Sequence, residues 1–466
     1  MLDETDRILS PSRPIIHYRA SDQAVSETEP PNQHPTTVKS SAITMFAPAA
    51  RVLRAVRLQT SANGSSYPNN PIASLIAHVI AGLKRLDTSL DPSKTIHRLR
   101  NFQFTIYNTA LWIALIVLAC GNLYIMDSRA LKVLIPVAYT LAVLIPATSQ
   151  FFFPATPVLM WVMTFFCARY IPSSWRPGIH VVLLPTLESV LYGANISDLL
   201  TRFTHPILDI LAWVPYGIGH FAIPGILALV LWAFGPKGSP QFFGKAFGFM
   251  NLTGVLCQLF FPCAAPCEPY ISHHNMLDVL TLRTGYEIIH GLVPANYSMP
   301  GSPGGLMRID RIFGTAGYTN TFGSAPLVFG AFPSLHSGCA TIEALILTHF
   351  FPKYRYGYWA YVGVLYWSTM YLTHHYLIDV VGGGCLALAS FFYFMPKEFK
   401  DMEAGIQWDA LDRVGGSSAN PEAYQQLEAE DDEPDLDEEI RKLDNRATLD
   451  AIDPVDSLPD SSRVKP

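Results

Sequence analysis

Two phrases of this chain set ionisable residues beside long apolar runs: "FGAFPSLHSG" at 329–338 and "THHYLIDVV" at 373–381. Titratable groups at membrane depth are costly and are usually retained for function. In the second phrase His375 and Asp379 are four residues apart, so a helix beginning around Thr373 would stack them on one face. An aspartate there accepts from one imidazole nitrogen and leaves the other as a free lone pair, which is how a nucleophilic or basic histidine is prepared. His374 would point about 100° away on the same helix and is a neighbour rather than a partner. In the first phrase Pro333 suits the first turn of a helix, and Ser334 and Ser337 bring hydroxyls close by. The N–H groups at a helix start favour an anion such as phosphate, and His336 would be placed to protonate an oxygen leaving it.

Each residue also has a plainer reading. Taken alone, His375 could be a satisfied structural histidine. A metal held by His336, His375 and Asp379 would lack a further acidic or cysteine ligand nearby. The seven cysteines show no ligand spacing, and Cys120, Cys167, Cys257, Cys339 and Cys385 lie in or beside apolar runs, as small hydrophobes do. No metal or cofactor is expected. What favours chemistry is the convergence of both phrases on one membrane face.

That convergence depends on the elements that carry them. Half of the 466 residues (50%) are hydrophobic, only 15% are charged, and the mean hydropathy is +0.23. The polar residues gather at the ends, and the apolar runs between approach or exceed the roughly 20 residues that span a bilayer. The expected fold is an all-α polytopic membrane helix bundle. Spans are expected near 104–126, 131–148, 151–171, 211–235, 243–263, 337–351, 358–374 and 376–396. That makes about eight, with six as the fallback, because "IPATSQFFFPATP" at 145–157 could be a tight hairpin or a kinked, re-entrant pair. The domains expected are a mostly disordered cytosolic region at 1–100, a transmembrane domain at 101–396 and an acidic, disordered cytosolic tail at 397–466. Basic residues before the first run, and in the loops at 235–241 and 352–357, keep both tails in the cytosol. Parity then puts His336 and His375 together on the luminal side, with Asn195 and Asn296 in glycosylation sequons there. The net charge of −6 comes largely from the acidic tail and says little of partners; nothing points to nucleic acid.

The two phrases look like the type 2 phosphatidate phosphatase superfamily, where P-S-x-H and H-x-x-x-D motifs build a histidine phosphotransfer site. More closely, "GSPGGLMRID" (301–310), "FGAFPSLHSGCAT" (329–341) and "STMYLTHHYLIDVVGGG" (368–384) resemble the fungal inositol phosphorylceramide synthases, the target of aureobasidin A. "SLDPSKTIHRLR" and "LPTLESVLYGANISD" read like the same family, and the similarity runs from about Leu90 to Met395. The resemblance implies transfer of phosphoinositol from phosphatidylinositol to ceramide with release of diacylglycerol, in the Golgi membrane, without a metal and with a small regulatory membrane subunit. It makes His375 the nucleophile, Asp379 its orienting partner and His336 the acid and then the base.

The sequence departs from these patterns twice. The superfamily's Ser-Arg pair before the nucleophile is here Ser368-Thr369, so the phosphate charge must be met elsewhere. Arg308 is the candidate, against its reading as a solvated loop arginine. The second departure follows "FPCAAP", where the family continues into Trp-Tyr-Glu but this chain inserts "CEPYISHHNMLDVLTLRTG" at 267–285. Codons for Cys267-Glu268-Pro269 can spell an intron donor and those for Thr284-Gly285 an acceptor. The segment therefore reads as a retained in-frame intron, and His273 and His274 are not expected as ligands. Residues 1–44 similarly read as an extension, with Met45 as an alternative start. The rival readings are a lipid phosphate phosphatase, with water in place of ceramide, and a scaffold or transporter whose buried polar groups are structural.

Overall fold

Residues 71–101, 105–266 and 294–400 are described by the computed structural model, all within the unit Asn63–Pro466. The expectations for residues 1–44, for 267–285 and for the acidic tail beyond Lys400 lie outside them. Helices α1 (Pro71–Lys84) and α2 (Pro92–Arg100) come first, followed by α3 (Ile106–Ile125), α4 (Arg129–Leu144), α5 (Pro146–Phe152) and α6 (Thr156–Cys167). Two short helices, α7 (Leu183–Tyr192) and α8 (Ile196–Thr201), lead to α9 (Pro206–Trp213), a π-helical turn (Val214–Gly219) and α10 (His220–Phe234). Then come α11 (Ser239–Phe260), α12 (Leu306–Phe313), α13 (Gly317–Gly323), α14 (Leu335–Phe350), α15 (Arg355–Tyr371), α16 (Leu377–Phe394) and α17 (Lys397–Lys400).

The apolar runs become helices close to every expected position, but they do not make eight evident spans. Among the described residues, two helices are long and apolar enough to cross a membrane: Pro206–Phe234, which joins α9 to α10 through the π turn, and α16. A third is available if α4 and α5, bent by 114° at Ile145-Pro146, form one broken span. Helices α14 and α15 have 16 and 17 residues, and α11 at 22 residues carries Lys245, Asn251 and Gln258. Apolar side chains such as Val133 on α4 and Phe221 and Leu229 on α10 point outward, as a lipid-facing surface requires.

Two helices, α1 and α2, precede residue 101. Asp91 caps α2 by accepting from Ser93 N–H, and Pro92 opens the helix. Helix α1 packs on α10, with Gly82 against Trp232 and His78 beside Phe234.

Two apolar cores hold the elements that carry the conspicuous motifs. Leu231, Phe242, Met250, Ile342, Ala387 and Phe391 join α10, α11, α14 and α16. A second core of Ala212, Leu306, Ile309, Ala340, Leu365 and Leu372 ties α9, α12, α14 and α15 together. Helices α14 and α16 touch intimately because the glycines permit it: a Cβ on Gly383 would collide with Ser334 O and Ser337 Oγ, and one on Gly382 would meet Phe332 at 2.7 Å.

Candidate active site

His336 and His375 meet where α14 and α16 begin and α15 ends. Nδ1 of His336 lies 3.2 Å from Nε2 of His375, and Nδ1 of His375 lies 2.9 Å from Asp379 Oδ2. An ionised carboxylate only accepts, so His375 Nδ1 carries a hydrogen and its Nε2 a lone pair. His336 Nδ1–H then donates to that lone pair. The three side chains form one polarised line, with Asp379 fully buried and His375 nearly so.

The pair forms by a different route from the one its spacing suggests. Helix α16 starts at Leu377, so His375 lies before it, on an extended lead through Tyr376. Helix α15 ends in a Schellman turn: His374 N–H donates to Thr369 O and Thr373 N–H to Met370 O, with Thr373 in the left-handed region at φ 56°. A β-branched residue is unfavourable there, and the surroundings hold it. Thr373 Oγ1 accepts from Gly305 N–H, while Gly305 N–H also reaches Leu372 O. Gly304 has φ 51°, and a Cβ on it would meet Leu372 O and Thr373 Oγ1 at 2.7 Å. The "SPGG" segment thus braces the turn that presents both histidines.

His374 is a neighbour, as its position suggests. Its ring stacks on Tyr216 (centroids 5.1 Å apart), and Tyr216 stacks in turn on His336 at 4.5 Å. Tyr216 sits in the π turn, a distortion that often marks functional sites. His220 also packs on His336, with ring centroids 4.4 Å apart.

Ser334 and Ser337 do not present free hydroxyls to a phosphate. Both are fully buried. Ser334 is the N-cap of α14, so Pro333 precedes the helix instead of opening its first turn. Ser337 Oγ donates to Ser334 O and to Val380 O, at 2.8 Å for the latter, and Ser334 N–H donates to Asp379 O. These serines lock the His336 helix to the Asp379 helix. Arg308 is not a solvated loop residue: its Nε donates to Asp209 at 2.8 Å, its guanidinium covers the Tyr371 ring, and it lies close enough to His374 to act on it electrostatically. Among the described residues no three His, Cys, Asp or Glu side chains are grouped as metal ligands would be. Asn195 caps α8 through Asp198 N–H.

Glu188 and Ser197 are supports that no motif in the sequence singles out. Ser197 Oγ donates to the His375 carbonyl at 2.7 Å, and Glu188 Oε1 accepts from Leu377 N–H at 2.7 Å, satisfying a first-turn amide of α16. Burial pushes the Glu188 carboxyl up from its ordinary value, the Leu377 bond opposes that, and the Asp379 charge adds to it. A neutral glutamine oxygen can accept the same bond. Glu188→Gln is therefore expected to keep most activity, whereas Glu188→Ala leaves a buried amide unpaired, at about 1–3 kcal/mol. Thermal unfolding and product formation, measured on both variants in detergent, check this.

The PAP2 superfamily profile matches residues 184–393, which include every side chain of this site. The chain is 44% identical over 334 residues to the inositol phosphorylceramide synthase catalytic subunit of Schizosaccharomyces pombe, covering 70% of this chain and 74% of that one. It is 43% identical over 298 residues to the inositol phosphorylceramide synthase of Candida albicans, covering 63% and 59%. It is also 43% identical over 312 residues to the catalytic subunit of Saccharomyces cerevisiae, covering 66% and 73%. No solved structure matches the chain.

Proposed function

The chain belongs to the inositol phosphorylceramide synthase catalytic subunits, and we propose that it moves phosphoinositol from phosphatidylinositol to ceramide through a phosphohistidine on His375. The observation that carries this reading is the continuous line Asp379–His375–His336. The lone pair on His375 Nε2 attacks phosphorus as the bond to the diacylglycerol oxygen breaks, and His336, entering this step as the imidazolium, gives its Nδ1–H to that oxygen and is left neutral. Asp379 balances the positive ring. The ceramide hydroxyl then gives its proton to His336 and attacks phosphorus, and the P–N bond breaks to return His375 neutral. Every proton His336 gives is returned to it.

Substrate must separate the two rings, whose facing nitrogens lie 3.2 Å apart. In-line transfer puts phosphorus between His375 and the oxygen facing His336, so the His336 ring must swing along the faces of Tyr216 and His220. Arg308, paired with Asp209 of α9 and lying over Tyr371 at the end of α15, supplies positive charge for the phosphate in place of the missing Ser-Arg arginine. The site faces the lumen of a Golgi membrane, with both termini cytosolic and a small membrane subunit as regulatory partner. Eight spans fit this orientation if the bent α4–α5 pair and helices α3, α6, α11, α14 and α15 all count as crossings beside the two long apolar helices.

The test supplies phosphatidylinositol and fluorescent ceramide to the purified chain. Labelled inositol phosphorylceramide is expected. Inositol phosphate released into water with ceramide untouched would instead identify a lipid phosphatase, and neither product, even with the small partner added, would defeat both readings.

A further inference from the structure

Glu343 lies seven residues after His336 on α14, hence on nearly the same face and two turns deeper. It is 2% exposed, and neither carboxylate oxygen has a hydrogen-bond partner. The Tyr361 hydroxyl of α15 is also buried and unpartnered, and it is close enough to Glu343 to interact with it electrostatically. That hydroxyl would lie 3.4 Å from a Cβ on Gly219, the residue preceding His220. His220 is packed against His336, and its own Nδ1 is buried without a partner. Three unpartnered polar side chains thus lead from His336 into an otherwise apolar bundle.

Buried polar groups are normally satisfied, and an acid inside a membrane bundle marks a substrate path or a proton relay. A relay is not needed, because the transfer derived above returns each proton to His336. Binding is the use that remains. The acceptor's reacting hydroxyl must lie at His336, and a ceramide carries an amide and one or two further hydroxyls within a few bonds of it, on an otherwise apolar body. Glu343 accepts from hydroxyl or amide donors, while Tyr361 both donates and accepts. Helical side chains slant toward the N-terminus, which brings the Glu343 carboxyl back toward His336.

We propose that Glu343 and Tyr361, reached past His220, form a subsite that hydrogen-bonds the hydroxyl groups of the acceptor's sphingoid base and so favours ceramides carrying the additional 4-hydroxyl. This rests on the reading of the chain as a ceramide-accepting transferase. A hydroxyl bonded there replaces its water contacts, whereas the analogue lacking it leaves the buried acid unmet, so the preference is a specificity effect.

Two measurements test it on the full chain in nanodiscs. The first is the ratio of kcat/KM for 4-hydroxylated over unhydroxylated ceramide with phosphatidylinositol as donor. The second is the ratio of their Kd values in a His375→Ala background, which needs no turnover. Glu343→Gln and Tyr361→Phe are each expected to lower the wild-type preference about tenfold, through KM and with the same change in the binding ratio. Glu343→Asp should recover part of it. Equal loss for both ceramides, or a ratio that does not move, overturns the subsite. If the wild type makes no inositol phosphorylceramide, the functional reading fails by itself, and the binding ratio still decides whether hydroxyls are read at Glu343.

Discussion

His375→Ala removes transfer down to the blank, a loss of about 10⁴–10⁶-fold, while the chain still folds. The size follows from the role. Deleting the imidazole removes the atom that bonds to phosphorus, and His336, left facing a gap, has no nucleophile to work with. The fold survives because the frame around residue 375 is made by backbone and by other side chains: Ser197 bonds the 375 carbonyl, Glu188 holds Leu377 N–H, and the glycine segment braces Thr373. The check is a paired measurement of product formation and thermal unfolding, with phosphoinositol trapped on the protein as a further readout. With labelled phosphatidylinositol and no ceramide, the wild type should hold an acid-labile, base-stable label and the variant none. A variant with substantial activity would move the nucleophile elsewhere and leave His375 as a structural residue.

The helices were legible because apolar runs between Pro, Gly and capping residues leave little choice of element, and the two histidines expected to share a face do meet. The local geometry was not. Spacing pointed to His375 and Asp379 for the wrong reason, since an i, i+4 pair suggests a helix through Thr373. The chain instead closes α15 with a left-handed residue, where glycine is the usual signal and threonine gives none. Ser334 and Ser337 showed that hydroxyls were present but not that the backbone of α16 would claim one of them. Glu188 and Ser197 reach the site from 189 and 178 residues away along the chain, and Tyr216 comes from the distant π turn. No local pattern carries that information. The sequence offers Arg308 only as a candidate, and its pairing with Asp209 appears only once α9 and α12 are packed together. Helix α1 was hidden by the polar sequence before it, although its own residues are apolar enough to cover α10.

Asp379→Asn should lower the transfer rate by about 10⁴-fold, the size seen when the equivalent carboxylate is neutralised in a serine–histidine–aspartate site, with little change in KM for either lipid. The substitution keeps the volume of a side chain with no exposed surface, so packing between α14 and α16 is preserved. What it removes is charge and direction. With its amide NH2 toward His375, asparagine makes Nδ1 the acceptor and moves the hydrogen to Nε2, the nitrogen that must attack. Turned the other way, it restores the tautomer but cannot balance the ring that becomes positive on phosphorylation. The first orientation also breaks the line to His336, because a protonated Nε2 no longer accepts from His336 Nδ1–H. Steady-state rates for the variant, beside its unfolding temperature, distinguish this from a packing role. A loss below tenfold with an unchanged unfolding temperature would show that Asp379 only fills space behind His375. A collapse in unfolding temperature would show that the carboxylate belongs to the frame that joins the two helices.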